Sequence, residues 1–294
     1  MVYTILEYID GHNEQDILKQ KKKSKHNITE NIDIEFKPDD VTISTMTITC
    51  KLGCTLNVEN IGKYIDLNQG GIVEVIYGDI FRSLISRKQN KLKIKKKKKS
   101  FYNQVTLKIN TKKDKIINVK LFKNGSIQMT GCKSVNGSIE ALEKLICMLQ
   151  KEKAILDPKT FKIHDKKFTD QLFDFSMSAI YDYKIAMINS NFSIGFCIDR
   201  NKLFNCLSKD NYESSFDPII HAGVIIRHHT ENKTISIFVF ESGSIVITGA
   251  RTCKQIYDGY NFINKYLLQN YKFIVKTNNL SNSTILKYLE GSSK

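Results

Sequence analysis

Cysteine, histidine and carboxylate side chains are where a chain of 294 residues would keep catalysis or a metal, and their spacing here supports neither. The seven cysteines (Cys50, Cys54, Cys132, Cys147, Cys197, Cys206, Cys253) form no Cys-x-x-Cys pair. Zinc held by Cys50 and Cys54 would need a second cysteine pair or a histidine at ligand spacing, and none follows. His221 has no neighbour in the sequence that would make it a base or a metal ligand. There is no P-loop, no His-Glu-x-x-His, no nucleophile elbow and no acidic cluster at metal spacing. The expectation is a non-enzymatic protein without cofactor, metal or small-molecule substrate.

What remains is charge, aromatic rings and hydroxyls. Lysine and arginine number 45 against 30 acids, a net charge of +15, which favours an anionic partner, nucleic acid first. No apolar run approaches the roughly 18 residues that span a bilayer, so no membrane is expected. The odd cysteine count and the lack of an apolar leader predict reduced thiols and an intracellular site. A composition heavy in Lys, Ile and Asn fits an A·T-rich genome.

The elements that would position these groups are written twice. "NGSIQMTGCKS" (124–134) and "SGSIVITGART" (242–252) agree at Gly125/Gly243, Ser126/Ser244, Ile127/Ile245, Thr130/Thr248 and Gly131/Gly249. Around them the order recurs: a strand ("VTISTMTITCKL"; "FDFSMSAIYDYKIAM"), a short helix ("NVENIGKYI"; "DRNKLFNCL"), three strands, and a long amphipathic helix. The strands are "NQVTLKIN", "IINVKLF" and "SIQMTG", matched by "AGVIIRHHT", "TISIFVF" and "SIVITG". Ile139, Leu142, Leu145, Ile146 and Leu149 form the apolar stripe of the first long helix. The predicted organisation is a basic arm over 1–37, with a short helix around "EQDILKQKKK" in it. Repeat 1 follows over 38–150, a connector and repeat 2 over 151–276, and a polar tail over 277–294. A loop-like, lysine-rich insertion interrupts repeat 1 at about 68–100. Two copies suit a pseudo-two-fold α+β domain, an antiparallel sheet with helices on one face.

Alternation assigns the faces. Ile127, Met129, Ile245 and Ile247 belong under the helices; Ser126, Gln128, Thr130, Ser244, Val246 and Thr248 face away. Phe122 and Phe240 share that free face, because Leu121 and Val239 are their inward neighbours. An aromatic at matching sites in both halves suits a wedge between base steps.

The pattern aliphatic-Phe-x-x-Gly-x-x-x-x-Thr-Gly-x-Lys/Arg, as "LFKNGSIQMTGCK" and "VFESGSIVITGAR", resembles the TATA-binding protein family. "STMTITCKL", "LFDFSMSAIYDYKI", "SSFDPIIHAGVIIR" and "QIYDGYNFINKYLL" extend the likeness over about 40–275. It implies a saddle with a curved sheet, whose concave face straddles the DNA minor groove and whose convex helices bind initiation factors. It further implies a transcription initiation factor on A·T-rich double-stranded DNA, with a TFIIB-like factor and the RNA polymerase machinery as partners, in the nucleus or a cytoplasmic viral factory.

Residue by residue, the likeness makes Phe122, Phe240, Tyr102 and His221 the wedges, the last two standing where the family has phenylalanine. Thr130, Thr248, Val246 and Gln128 become minor-groove contacts, since that groove offers mainly acceptors at A·T pairs. Lys108, Lys133, Arg227 and Arg251 become phosphate ligands, and Asp217 a partner-binding acid, with Ile219 in place of a second one. Ser126 and Ser244 replace the family's glycine-turn lysines. Val41, and Ser178 or Ala179, fall nearest its central asparagines. The alternative carried beside this reading is an interaction module or decoy that binds initiation factors with weak or no specific DNA binding.

Overall fold

Alternation of apolar and polar residues, with β-branched side chains throughout, makes a long first strand of "TISTMTITCKL": β1 (Thr42–Leu52), with Met46, Ile48, Cys50 and Leu52 buried. The structure, a computed structural model, describes residues 40–85, 101–112, 114–170 and 176–276. The basic arm with its short helix, the lysine block and the polar tail lie outside them. The described residues fall into two compact units, one of 45–188 and one of 40–44 with 189–276.

In the first unit, α1 (Val58–Tyr64) follows β1, its N-cap Asn57 accepting from the Asn60 amide. Then come β2 (Ile72–Tyr77), β3 (Ile80–Ser83), β4 (Gln104–Thr111), β5 (Lys115–Phe122), β6 (Ser126–Cys132) and α2 (Val135–Leu149). The antiparallel order is β3-β2-β4-β5-β6-β1. Val105, Leu107, Ile109, Ile117, Val119, Leu121, Ile127 and Met129 are sealed under α2, whose Ile139, Leu142, Leu145, Ile146 and Leu149 are buried as the stripe predicts. Asp114 fixes the start of α2: its carboxylate accepts from the Lys133 and Ser134 amides and from the Ser134 hydroxyl, while Ser134 caps Gly137. A small hairpin, β7 (Lys153–Leu156) and β8 (Ile163–Lys166), leaves α2 before the chain turns into β9 (Ile180–Ser193).

In the second unit, α3 (Arg200–Lys209) is capped by Asp199, and β10 (Ser214–Ser215), β11 (Val224–Thr230), β12 (Lys233–Val239) and β13 (Ser244–Ala250) lead to α4 (Cys253–Gln269) and α5 (Tyr271–Ile274). The order is β10-β11-β12-β13-β9. Ile235, Ile237, Ile245 and Ile247 meet Ile256 and Ile263 of α4 in the core. The expected α+β class holds in each unit: an antiparallel sheet with its long helix on one face.

The repeated glycines have a shared cause. Gly125 and Gly243 have φ of +78° and +81°, in turns where an added methyl would run into the carbonyls of Cys54 and Leu52 or of Phe196. Gly131 and Gly249 are also left-handed, at +85° and +89°, one residue before β6 and β13 end.

Three features depart from the sequence expectations. The segment 68–100 is not all loop, because "IVEVIYGDIF" folds as the β2–β3 hairpin and adds two strands to the sheet edge. The β7–β8 hairpin is absent from the sequence reading. The strand opening repeat 2 begins late, at Ile180: Ser178 and Ala179 lie in a single 3-10 turn (Met177–Ala179), and β9 runs on through "INSNFS".

Hydrogen bonds fix the true register between repeats. Leu52 donates to Gly125 and Leu56 to Lys123, at 2.9 Å each; Ile194 donates to Gly243 at 3.0 Å and Ile198 to Glu241 at 2.8 Å. Leu52 therefore matches Ile194, and stepping back along both strands pairs Thr45 with Met187, Thr47 with Asn189 and Thr49 with Asn191. Val41 matches Tyr183, so Val41 and Ser178 or Ala179 are not equivalent positions of the two copies.

Candidate nucleic-acid interface

On the uncovered face of the first unit, cross-strand pairing lines up two rows. One is Thr49, Gln128, Lys120, Thr106, Ile76 and Phe81; the other is Thr47, Thr130, Asn118, Lys108, Glu74 and Ser83. Phe122 ends β5 opposite Gln104, half-buried, while its neighbour Leu121 is sealed in the core. Tyr102 stands 60% exposed just before β4, its ring edge-on to Tyr77 at 5.9 Å and resting against Gly78. The hydroxyls of Thr45 and Thr49 are shielded and have no hydrogen-bond partner among the described residues. Unpaired buried donors are uncommon in a native chain, and these two leave hydrogen-bonding capacity unused in β1.

The second unit repeats the arrangement with other side chains. Val246, Phe238 and Ile225 form one row; Thr248, Ser236 and Arg227 form the next. The Thr248 hydroxyl donates to Asn189 Oδ1 at 2.5 Å, and the Ser44 hydroxyl to Asn191 Oδ1 at 3.1 Å. His221 is half-buried, its ring 5.0 Å from Phe238 and 5.9 Å from Phe240, with Nδ1 accepting from the Gly223 amide at 3.1 Å. Phe240 is half-buried where β12 turns toward Gly243. Neither Phe122 nor Phe240 lies under a long helix.

The cations differ in what holds them. Lys108 Nζ lies 2.9 Å from Glu74 Oε1, and the Glu74 side chain is only 2% exposed, so this ammonium is already neutralised inside the sheet. The expectation of a free phosphate ligand at Lys108 thus meets an internal competitor that sequence alone did not reveal. Its repeat counterpart Arg227 donates to Ser236 Oγ at 2.5 Å and remains exposed. Lys133 and Arg251 are exposed at the strand-to-helix junctions. Asp217 accepts from the Ile219 amide at 2.9 Å, closing a turn that leaves Ile219 94% exposed.

Sequence reasoning missed Asn189, Asn191, Asn118, Lys120, Phe238, Ile76 and Phe81 on these faces. Alternation carried through β5 and β12 would have found Asn118, Lys120 and Phe238; the others sit on strands the pattern did not reveal. Burial, with a further push from Asp182, raises the Cys50 thiol to about 12, and burial with Asp114 does the same to Cys132. Thiols held protonated are poor metal ligands. Among the described residues no three His, Cys, Asp or Glu side chains are grouped to hold a metal, and no helix is long and apolar enough to cross a membrane.

The class defined so far is a protein of two like α+β units, each leaving one sheet face open with aromatic and hydroxyl groups at matching positions. The family model described as "Transcription factor TFIID (or TATA-binding protein, TBP)" matches residues 182–270. A "TATA-box-binding protein-like" protein of Acanthamoeba polyphaga mimivirus is 36% identical over 271 residues, covering 85% of this chain and 72% of that relative. The "TATA-box-binding protein" of Pyrodictium occultum is 25% identical over 143 residues, 49% of this chain and 58% of that one. The solved structure titled "Methanococcus jannaschii TBP" aligns with a TM-score of 0.47 at 15% identity, over 78% of this chain and 99% of that one. The chain belongs to the TATA-binding protein family. With membership comes a transcription-factor, DNA-binding role, and DNA and other transcription factors as the class of partner.

Proposed function

We propose that this protein is a general transcription initiation factor that binds and bends A·T-rich promoter DNA through its open sheet faces, in the minor groove. One observation carries the proposal: a half-buried phenylalanine (Phe122, Phe240) and a threonine (Thr130, Thr248) recur at equivalent positions of both uncovered faces. Rings at strand ends can enter a deformable base step, and small hydroxyls can donate to the acceptors that A·T pairs offer there. Tyr102 and His221 complete the wedge set, with shallower insertion at His221 because its ring is tied to Gly223. Thr130, Thr248, Val246 and Gln128 supply groove contacts; Lys133, Arg227 and Arg251 supply phosphate contacts, and Asp217 an initiation-factor contact of the TFIIB type. The family names of the mimiviral and archaeal relatives support the same reading.

The test is titration of an A·T-rich and a G·C-rich duplex of equal length at two salt concentrations, with wild type and the Phe122→Ala/Phe240→Ala protein. Loss of stacked aromatic contact is worth about 1–3 kcal/mol per base, so the double variant should bind the A·T duplex at least about tenfold more weakly. Equal affinity for both duplexes, unchanged in the variant, would defeat groove reading.

A second reading, an interaction module or decoy with weak DNA affinity, is favoured by the Lys108–Glu74 pair, which withdraws a cation from the open face. Absence of any duplex binding at low salt leaves that reading alone.

A further inference from the structure

The connector between the repeats builds a hairpin that neither the sheet faces nor the proposed DNA contacts use. β7 and β8 pair Leu156 with Ile163 across the ladder, and the turn between them, 157–162, is closed by its own hydrogen bonds. The Asp157 amide donates to Lys162 O at 2.9 Å and the Phe161 amide to Asp157 O at 2.8 Å. The Asp157 carboxylate accepts from the Lys159 amide at 2.9 Å and the Thr160 hydroxyl at 2.8 Å. Those bonds keep the Asp157 carboxyl below the usual carboxylate range.

The turn spends its order on displaying apolar surface. Phe161 has φ of +52°, a conformation that bulky residues rarely adopt, and the residue is 79% exposed. Leu156 and Ile163 are 56% and 68% exposed. Three large apolar side chains thus share one small tip, held in place at a cost in backbone strain.

The same segment is basic. Residues 151–167 contain six lysines (151, 153, 159, 162, 166, 167) against Glu152, Asp157 and Asp165. Lys153 is bound to Asp66 and Lys167 to Glu152, and Asp157 is occupied by its own turn. Lys159 and Lys162, exposed on either side of Phe161, have no carboxylate partner among the described residues. The hairpin also sits on the helix-bearing side of its unit. Lys153 pairs with Asp66, just past the end of α1, at 2.6 Å, and Asn60 Nδ2 of α1 donates to the carbonyl of Lys167, just past β8, at 2.8 Å. α1 itself packs through buried Ile61 and Gly62, the latter against Tyr77 on the covered face.

We propose that the β7–β8 hairpin is a docking site for an acidic protein segment that carries apolar side chains, which seat on Leu156, Phe161 and Ile163 while its carboxylates meet Lys159 and Lys162. Charge complementarity selects an acidic partner, and the apolar cap selects against a purely ionic one. The base of the hairpin borders a concavity that Asp165 and Lys167 line together with Tyr102, whereas Leu156, Phe161 and Ile163 lie at the hairpin's opposite end; it is this apolar cap that makes the partner protein. A preordered tip loses little freedom on binding, and its free strand edges can pair with an extended segment. The site is small, as transient contacts are.

The experiment uses the full chain and fluorescence anisotropy with three labelled 20-residue peptides: Glu/Asp alternating with Leu/Phe, the same pattern with Lys for the acids, and Glu/Asp alternating with Ser. The acidic apolar peptide should bind saturably and the other two at least about tenfold more weakly. Phe161→Ser/Ile163→Ser and, separately, Lys159→Glu/Lys162→Glu should each weaken the first peptide about tenfold or more. All four side chains are exposed, so thermal melting should be unchanged, which keeps the comparison interpretable. Duplex affinity of the Ser variant should equal that of wild type whether or not the groove-binding reading stands. The inference is overturned if the acidic apolar peptide does not bind, if the acidic Ser peptide binds as well, or if the variants leave peptide binding intact. It is equally overturned if the Ser variant loses capture of duplex DNA, or of phosphatidylserine-containing vesicles, in place of peptide.

Discussion

Lys108 and Glu74 form the most consequential pair on the open faces, since one partner is nearly sealed from water. Removing one member of such a pair leaves a charge without its counter-ion, which costs about 3–5 kcal/mol when both are buried. Lys108 is 30% exposed, and that screening reduces the expected loss for Lys108→Met to about 2 kcal/mol in urea unfolding. Lys120→Met, on the neighbouring strand of the same face, should change stability by less. Glu74→Gln works the other way, releasing the ammonium and steepening the salt dependence of duplex binding by about one unit of slope. The cysteines give a second residue-scale outcome. Cys147 is exposed, whereas Cys50, Cys132 and Cys253 are buried. A thiol raised to about 12 stays protonated at pH 8, so Cys50 and Cys132 should react with a disulfide reagent only after unfolding, while Cys147 reacts at once in the native protein. Thr130 and Thr248 were readable from the repeat, because residue type and period carry direction. The occupation of Lys108 was not, because Glu74 reaches it only through strand pairing across thirty-odd residues of sequence.

At the scale of the element, the duplicated turns decide how the strands hand over to one another. Gly125→Ala and Gly243→Ala each combine a left-handed backbone, unfavourable by about 1–2 kcal/mol for a side chain, with a methyl pressed into a carbonyl. Each should lose at least about 2 kcal/mol by denaturant unfolding. Gly131→Ala meets nothing nearer than 3.6 Å, so it should show only the backbone share, about 1 kcal/mol. The three-strand runs β4–β6 and β11–β13 were legible because strict alternation produces one sealed and one open face. β2 was not, since Ile72, Val73, Glu74 and Val75 are all buried and no alternation survives. β9 was misplaced for the opposite reason: Asn189, Asn191 and Ser193 are poor strand formers, and pairing with β13 overrides their preference. "LDPKTFKI" did hold a hairpin signal, an Asp-Pro turn between apolar residues, obscured by the surrounding lysines.

For the whole molecule, the surplus of +15 governs encounter with any polyanion. Duplex binding should weaken steadily with added salt, and the A·T preference should persist at salt where the nonspecific part has gone. The repeat fixes family and element order from sequence alone, whereas the chemistry of each copy is a matter of which side chains pair across strands. At equivalent places the first unit carries Gln128, Lys120 and Thr106, and the second Val246, Phe238 and Ile225. The two copies share one backbone plan, yet along this row one is apolar and the other hydrogen-bonding. If both faces meet one duplex as proposed, a target that reads alike from either end should still be held in one preferred orientation, because its two halves would meet different chemistry.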